Sequence, residues 1–239
     1  MTRSRNRVRP RHIGALAAIA LSALAMSSCG AAPVPTADYQ FNGNRKACGN
    51  AAPELTTLGT TSFATESVDG KNWKVQRFDD DSGLRLTPTT GEVSPDVYTI
   101  VVLFRVSAPE GFVRLIDFKN STADTGLYGQ AGLLSFYNYA GGTTPTIDTT
   151  FVQVALTRAS NGTVVGYVDD AQQFSFTDSS SQGVLLDETL RFFQDNTSGG
   201  SSSEASPGAV ARIRLYNKAL TAEEVAALNQ LPANPCSTA

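Results

Sequence analysis

The feature that most restricts the fold is a two-residue hydrophobic alternation, which recurs in short runs along the chain. In the run 152–157, valine and leucine alternate with glutamine, alanine and threonine, and the runs 173–177 and 211–216 repeat the pattern. A period of two is typical of strands that are buried on one face. The run Tyr98–Val106 has apolar residues at both sets of alternate positions, which predicts a central strand covered on both faces.

Turn-forming residues separate these runs. Asn161-Gly162 favours a tight type I′ hairpin, and Asp169-Asp170 is a weaker version of the same signal. The remaining polar segments, rich in Gly, Ser, Thr, Pro and Asp, are predicted to be loops: 82–92, 140–150, 178–189, and the Ser/Gly run 198–203, which should form a hairpin tip.

One helix is predicted near the C-terminal end. Thr221 and Glu224 have the spacing of a capping box. Val225 and Leu228 lie on one helical face, and Pro232 ends the helix. About ten short strands followed by one helix indicate an all-β fold, an antiparallel two-sheet sandwich or jelly roll.

Residues 1–28 are predicted to be an export signal. Five arginines precede an apolar run, 13–26, that is too short to span a bilayer and suits a secretory signal. The next residues, Met26-Ser27-Ser28-Cys29, resemble the bacterial lipobox, with Met26 where leucine is usual. The resemblance implies cleavage before Cys29 and a lipid on its sulfur, which would tether the protein to the outer face of a bacterial cell membrane. An ordinary signal peptide cut after a nearby alanine is the alternative.

The rest of the chain is predicted to be a short tether, 29–37, followed by one domain, 38–239. The chain has three cysteines, Cys29, Cys48 and Cys236. With Cys29 acylated in an oxidising compartment, Cys48 and Cys236 are left to pair with each other as a disulfide. Two free thiols are the alternative.

Charge and histidine content exclude several classes of function. The chain has 19 Lys and Arg against 22 Asp and Glu, and loss of the five arginines in 1–28 leaves 14 against 22, a net charge of −8. Such an acidic protein lacks the basic patch that nucleic acid requires. The one histidine, His12, lies in the export signal. The exported protein would therefore have no Ser-His-Asp or Cys-His catalytic group and no histidine metal ligand.

Several segments resemble the LamG-like jelly roll, a family with the concanavalin A-like lectin and glucanase fold. The resemblance extends over roughly 39–231 and is most specific in the last 90 residues. The segments that carry it are Ala155-Leu156-Thr157-Arg158, Gly166-Tyr167-Val168-Asp169, Phe174-Ser175-Phe176, 190–195, 210–217 and 220–228. Asp170 departs from the family, which usually has glycine there, and this puts the geometry of that turn in question.

The resemblance implies either a glycan-cleaving enzyme or a binding module, since the fold occurs in both. Laminarinase-type members place their two catalytic carboxylates in a Glu-x-Asp-x-x-Glu pattern, which this sequence lacks. We therefore expect a non-catalytic recognition module of the cell envelope that binds a glycan or an envelope protein. The alternatives are a structural lipoprotein without a ligand and an unrecognised glycan-active enzyme.

A calcium site at the sandwich rim is a further implication of the resemblance. Asp117 interrupts an apolar run, and Asp124 and Asp195 are placed near it if the strands 113–118 and 190–195 are neighbours. Carboxylate oxygens are ligands that calcium accepts in irregular sets. The alternative is structural, with Asp117 paired to one of the cations Arg114, Lys119 and Arg191.

Exposed aromatic rings are the usual platform for stacking against a sugar. Trp73, Tyr128, Tyr137 and Tyr139 are the candidates, and Tyr137 and Tyr139 are predicted to share one strand face. The same pattern is typical of an ordinary sandwich core, which is the alternative for each of them.

Overall fold

The structure, a computed structural model, describes residues 31–195, 204–228 and 230–236. The predicted export signal 1–28, the predicted lipid-attachment residue Cys29 and the predicted hairpin tip 198–203 lie outside these residues. The described strands, numbered in chain order, are β1 Ala37–Tyr39, β2 Thr56–Leu58, β3 Thr61–Val68, β4 Lys71–Phe78, β5 Gly83–Leu86, β6 Tyr98–Val106, β7 Phe112–Asp117, β8 Gly126–Gln130, β9 Leu133–Phe136, β10 Ala140–Gly141, β11 Val152–Arg158, β12 Thr163–Val168, β13 Ala171–Thr177, β14 Leu190–Phe192 and β15 Gly208–Tyr216. One short α-helix, α1, spans Ala222–Ala226, and a 3-10 turn spans Cys48–Asn50.

The strands form two antiparallel sheets packed face to face, which confirms the predicted two-sheet sandwich. The first sheet has the order β13-β12-β11-β6-β15-β4-β3, and β1 also pairs with β15. The second has the order β10-β9-β8-β7-β14-β5-β2. Apolar side chains from the inner faces of both sheets form one large core. As its sequence predicts, β6 lies between β11 and β15 and is covered on both faces.

The two hairpins around β12 form where the sequence predicts them, but only one has the predicted turn type. Gly162 has φ of 80°, whereas Asn161 does not have positive φ, and Gly162 N donates to Ala159 O at 2.9 Å. The connection from β11 to β12 is therefore not the predicted type I′ turn. Asp169 and Asp170 have φ of 48° and 83° between β12 and β13. Positive φ at both central residues is the requirement of a type I′ turn, so the Asp-Asp pair adopts this conformation despite its side chains.

The prediction of a loop over 82–92 was wrong in part, because β5 lies within it. Leu84 and Leu86 are buried in the core, and β5 pairs with β2 on one side and β14 on the other. Those pairing partners lie far away along the chain, so local composition gives no signal for this strand. Arg85, between the two leucines, is thereby placed on the outer face of the second sheet.

The C-terminal segment closes the outer face of the first sheet. The Thr221 side chain accepts a hydrogen bond from Glu224 N, and Glu224 Oε2 accepts one from Thr221 N, which completes the predicted capping box. Val225 and Leu220 pack against Tyr216 and its neighbours on this face. No helix among the described residues is long and apolar enough to cross a membrane.

Candidate functional site

A buried arginine on the outer face of the second sheet organises the candidate site. In β7 the pairing with β8 shifts register between Arg114 and Ile116, so that Leu115 is an extra residue in the strand. Such a β-bulge interrupts the alternation of faces. Leu115 and Ile116 both enter the core, and Asp117 returns to the outer face beside Arg114. Without the bulge, residues three apart on a strand would face opposite ways.

The Arg114 guanidinium is surrounded by carboxylates although its side chain is fully buried. Nε lies 3.2 Å from Asp195 Oδ1, Nη2 lies 3.1 Å from Asp124 Oδ1, and Nη1 lies 3.7 Å from Asp117 Oδ1. Gly126 makes room for it, because a Cβ there would lie 2.6 Å from Ile116 O and 3.3 Å from Arg114 Nη1. The single positive charge of Arg114 therefore offsets part of the negative charge of these three carboxylates.

Asp117 orders a loop. Its Oδ1 accepts a hydrogen bond from Lys119 N at 2.8 Å, and its Oδ2 accepts one from Ser121 N at 2.6 Å. Both carboxylate oxygens thus bind backbone N–H groups of the turn after β7, where Asn120 and Ser121 have positive φ. The structure therefore supports the structural alternative for Asp117, with Arg114 as its nearest cation.

Three other carboxylates come together beside Arg114. One oxygen from each of Asp124, Asp195 and Glu204 lies within 4.8 Å of the other two. Burial and the charges of Asp124 and Asp195 raise the pKa of Glu204. The predicted approach of strands 113–118 and 190–195 is correct, since β7 pairs with β14. A calcium ion at this point would be held by Asp124, Asp195 and Glu204. Asp117 is not part of this group, because both of its carboxylate oxygens accept hydrogen bonds from the backbone.

Glu204 enters the cluster through the backbone. Its carbonyl accepts a hydrogen bond from Arg114 N at 2.9 Å, which fixes the segment after the predicted hairpin tip against β7. The sequence shows that residue 204 is an acid, but it gives no local pattern that would place Glu204 beside Arg114, because 90 residues separate the two.

An aromatic cluster lies next to these charges on the same face. Phe112 and Tyr137 are half-buried, with ring centroids 5.5 Å apart in an edge-to-face arrangement. The Tyr128 ring lies beneath them, 6.1 Å from Phe112 and 5.7 Å from Tyr137. The Arg114 guanidinium lies 4.7 Å from the Tyr128 ring centroid. This arrangement combines partly exposed apolar ring surface with polar groups.

The Tyr128 hydroxyl joins the aromatic cluster to the carboxylates. It lies 3.1 Å from Asp124 Oδ1 and 3.4 Å from Glu204 Oε2, and its single proton can serve only one of them at a time. Burial raises the pKa of the Tyr128 hydroxyl, so it stays protonated and acts as a donor.

The four aromatic residues predicted to stack on a ligand lie in three different places. Tyr128 and Tyr137 are on the face just described. Trp73 packs on the outer face of the first sheet, and its indole Nε1 is buried. Tyr139 stacks on Phe176 at a centroid distance of 5.4 Å. The prediction that Tyr137 and Tyr139 share a face was wrong, because Asn138 has φ of 67° and breaks the alternation after β9.

A disulfide joins the two ends of the domain. Cys48 and Cys236, 188 residues apart in sequence, are bonded with a Cα–Cα distance of 5.7 Å. The Cys236 amide also donates to Gln40 Oε1 at 2.9 Å. A structural disulfide is typical of proteins outside the cytoplasm.

A sequence-family comparison matches most of this sandwich. A model described as Laminin_G_3, the concanavalin A-like lectin/glucanases superfamily, matches residues 78–226. The chain belongs to this family. The matched Laminin_G_3 segment contains Arg114, the three clustered carboxylates and the aromatic cluster. No curated protein sequence is significantly similar to the chain.

Solved structures share the Laminin_G_3 fold at low sequence identity. Domain 4 of AbnA, an extracellular arabinanase from Geobacillus stearothermophilus in complex with arabinotriose, is 19% identical with a TM-score of 0.61, over 80% of this chain and 96% of that one. The botulinum neurotoxin serotype G binding domain is 10% identical with a TM-score of 0.57, over 81% of this chain and 50% of that one. A binding domain of botulinum neurotoxin DC, in complex with rat synaptotagmin II, is 11% identical with a TM-score of 0.55, over 80% of this chain and 50% of that one. The chain thus spans about half the length of these toxin domains.

Proposed function

We propose that this protein is an exported, lipid-anchored, non-catalytic module that binds a glycan on the outer face of its second sheet. The observation that carries the proposal is the cluster of Phe112, Tyr128 and Tyr137 beside the Arg114 charge network. Rings that are partly exposed provide apolar area for a sugar ring. The neighbouring carboxylates and the Tyr128 hydroxyl provide acceptors and a donor for sugar hydroxyls.

The comparisons support a glycan as the ligand class. The family description includes lectins and glucanases, and the arabinanase domain was solved with arabinotriose bound. The chain shares only the fold with that domain, so the specific sugar is left to experiment.

The test is a glycan array probed with the purified full-length chain, followed by calorimetry on the sugars that bind. Replacing Tyr137 or Phe112 with alanine is expected to weaken binding about tenfold, the loss of roughly 1.4 kcal/mol of ring contact. Tyr139→Ala is the matched control, because it removes a partly exposed tyrosine from a different surface and should leave affinity unchanged. Absence of any glycan binding would instead favour a structural envelope lipoprotein.

Glycan cleavage is a second candidate, and the carboxylate cluster is the observation that favours it. Retaining glycosidases hold their two carboxyl groups about 5–5.5 Å apart, one of them with a raised pKa. Glu204 has a raised pKa and lies near Asp124 and Asp195. However, Asp195 is tied to the buried Arg114, which favours binding over chemistry. Release of reducing sugar by the wild type that is lost in Glu204→Gln would establish the enzyme instead.

The proposed location is the outer face of a bacterial cell membrane, with the lipid on Cys29 as the membrane partner. Replacing Cys29 with alanine should release the protein from the membrane fraction, because a single thioether-linked anchor would be lost. Cell fractionation and immunoblotting measure this. Equal membrane association of Cys29→Ala and wild type would contradict the lipoprotein assignment.

A further inference from the structure

Two arginines oppose each other on the outer face of the second sheet. Arg85 of β5 and Arg191 of β14 are direct partners in the antiparallel register. The residues on either side of each arginine are buried in the core, so both arginine side chains point away from it. Directly opposed residues on neighbouring strands have Cβ atoms about 5 Å apart.

Neither arginine forms a salt bridge among the described residues. Arg191 donates from Nη1 to Asn120 Oδ1 at 3.3 Å and from Nη2 to Gln194 Oε1, and both acceptors are neutral amides. The Arg85 guanidinium has no hydrogen-bond partner in the described parts of the chain, and the Nε of each arginine is buried without one.

Three of the four arginines that are buried in the described residues are paired differently. Arg114, Arg158 and Arg212 each lie within 3.2 Å of a carboxylate oxygen, whereas Arg214 donates to the neutral amide of Gln153. Like charges placed directly opposite across two strands destabilise a sheet. Burial lowers the pKa of Arg191, Asp117 opposes this change, and Arg85 adds to it. Asp117 of β7 lies opposite Arg191 on its other side, but its carboxylate pairs with Arg114 and binds backbone N–H groups. Arg85 and Arg191 are thus two adjacent cations without a salt bridge in the described residues.

We propose that Arg85 and Arg191 form an oxyanion subsite that binds the carboxylate of an acidic sugar, such as a uronic acid residue of the glycan. This inference rests on the proposed function and adds the class of sugar. Two guanidinium forks match the planar, two-oxygen geometry of a carboxylate. A bound anion would also relieve the repulsion between the two cations, and half-burial would strengthen the interaction compared with bulk water.

The strand order places this subsite on the same sheet face as the aromatic cluster. Arg85 and Tyr128 lie on strands separated by β14 and β7, which corresponds to about 14 Å at the usual strand spacing. The Arg114 network and its acids lie between them. One face therefore has a cationic end for an acid group and an aromatic end for a sugar ring.

The experiment compares trigalacturonate with the neutral trigalactose by calorimetry on the full-length chain. The wild type should bind trigalacturonate at least tenfold more tightly than trigalactose. The double variant Arg85→Gln/Arg191→Gln should lose this preference and keep its affinity for the neutral sugar. Arg77→Gln removes the same charge from the first sheet, where Glu66 keeps Arg105 as a partner, and should retain the preference.

Folding of the variants provides a second readout. Replacing Arg85 with glutamine removes like-charge repulsion, so its melting temperature should equal or exceed that of the wild type. Arg85→Lys keeps the charge without the planar fork and should bind trigalacturonate more weakly. A melting temperature lowered in Arg85→Gln by as much as a core substitution would overturn the assignment, because it would show a structural arginine.

The outcomes separate this inference from the proposed function. Equal binding of the two trisaccharides, or an acid preference that survives in the double variant, overturns the oxyanion subsite and leaves glycan binding intact. If neither trisaccharide binds, the glycan array decides the proposed function, and sodium sulfate decides the oxyanion subsite. Sulfate should shift the Nε–H NMR signals of Arg85 and Arg191 in the wild type, and no shift up to tens of millimolar would overturn it.

Discussion

Arg114 shows how one buried cation can order a whole face of the sandwich. Its guanidinium contacts Asp117, Asp124 and Asp195, and its backbone N–H binds the Glu204 carbonyl. Removing one partner of a buried ion pair costs about 3–5 kcal/mol, because the remaining charge stays buried. We expect Arg114→Met to reduce the free energy of unfolding by this amount in urea titrations.

Arg77→Met is the control for Arg114→Met. The Arg77 side chain is 51% exposed, and its replacement should change stability by less than about 1 kcal/mol. Equal effects of the two substitutions would show that the Arg114 network contributes little to stability.

Glu66 predicts a pH dependence of stability. Hydrogen bonds from Arg105 and Arg77 lower its pKa, although its partial burial opposes this change. A carboxyl group whose pKa is lowered in the folded state adds stability at a pH above its ordinary, unfolded pKa. That stability is lost as the pH falls through the lowered pKa of the folded state. Glu66→Gln should thus be about 1 kcal/mol less stable than the wild type at pH 7. The difference should vanish in strong acid, and urea midpoints across this range measure it.

The exposed Glu110→Gln serves as the matched control for Glu66→Gln. It removes the same charge from a residue without an ion pair in the described parts of the chain, so its stability difference from wild type should be small at every pH. A Glu66→Gln effect that persists unchanged in strong acid would contradict the ion-pair explanation.

The calcium site stays a prediction, now with Glu204 in the place of Asp117. Burial and then the charges of Asp124 and Asp195 raise the pKa of Glu204. A cation held by these three carboxylates would offset the repulsion among them, and it would stabilise only the folded state. Millimolar calcium should raise the melting temperature of the wild type more than magnesium does. Asp124→Asn should remove this rise, because it deletes the most exposed ligand without breaking the core. An unchanged wild-type melting temperature would leave Arg114 as the cluster's only cation.

At the scale of single elements, short-range chemistry determines the conformation of α1. This helix has only five residues, Ala222–Ala226, and is too short to be stable alone. The capping box of Thr221 and Glu224 and the burial of Val225 therefore hold it. Thr221→Ala should lower the free energy of unfolding by about 1 kcal/mol. Thr144→Ala, in an exposed loop, should have no measurable effect in the same urea titration.

Strand β7 shows the opposite case, in which an element depends on distant pairing. The sequence of β7 is an apolar run with Arg114 and Asp117 inside it, and strict alternation would put these two on opposite faces. The bulge at Leu115 places them together. A bulge depends on how β8 pairs with β7, so the order of residues within β7 does not reveal it.

At the scale of the whole molecule, the disulfide joins the early turn at Cys48 to the C-terminal tail. A bridge closing a loop of this length, 188 residues, contributes up to about 4–5 kcal/mol by restricting the unfolded chain. The variant Cys48→Ser/Cys236→Ser should lose a few kcal/mol in urea unfolding. Non-reducing peptide mapping of the wild type should recover the two cysteines in one fragment. Labelling of both as free thiols would contradict the bridge.

Local sequence patterns were enough to predict the sandwich, the positions of the two β12 hairpins and the capped helix. These features depend on residues within a few positions of one another, as in the alternation of 152–157 and the pairing of Thr221 with Glu224. The count of cysteines also predicted the Cys48–Cys236 pairing, because the proposed lipid on Cys29 would leave no other pair.

Which side chains meet depends on strand pairing between distant parts of the chain. One extra residue in β7 brings Arg114 and Asp117 to the same face, and the positive φ at Asn138 separates Tyr137 from Tyr139, which were predicted to share a face. A strand's faces depend on a register that accumulates along it. Asp195 and Glu204 reach Arg114 from 81 and 90 residues away, and Arg85 opposes Arg191 only because β5 pairs with β14. Local patterns constrain neighbours along the chain, whereas a binding face forms from strands that are neighbours only in space.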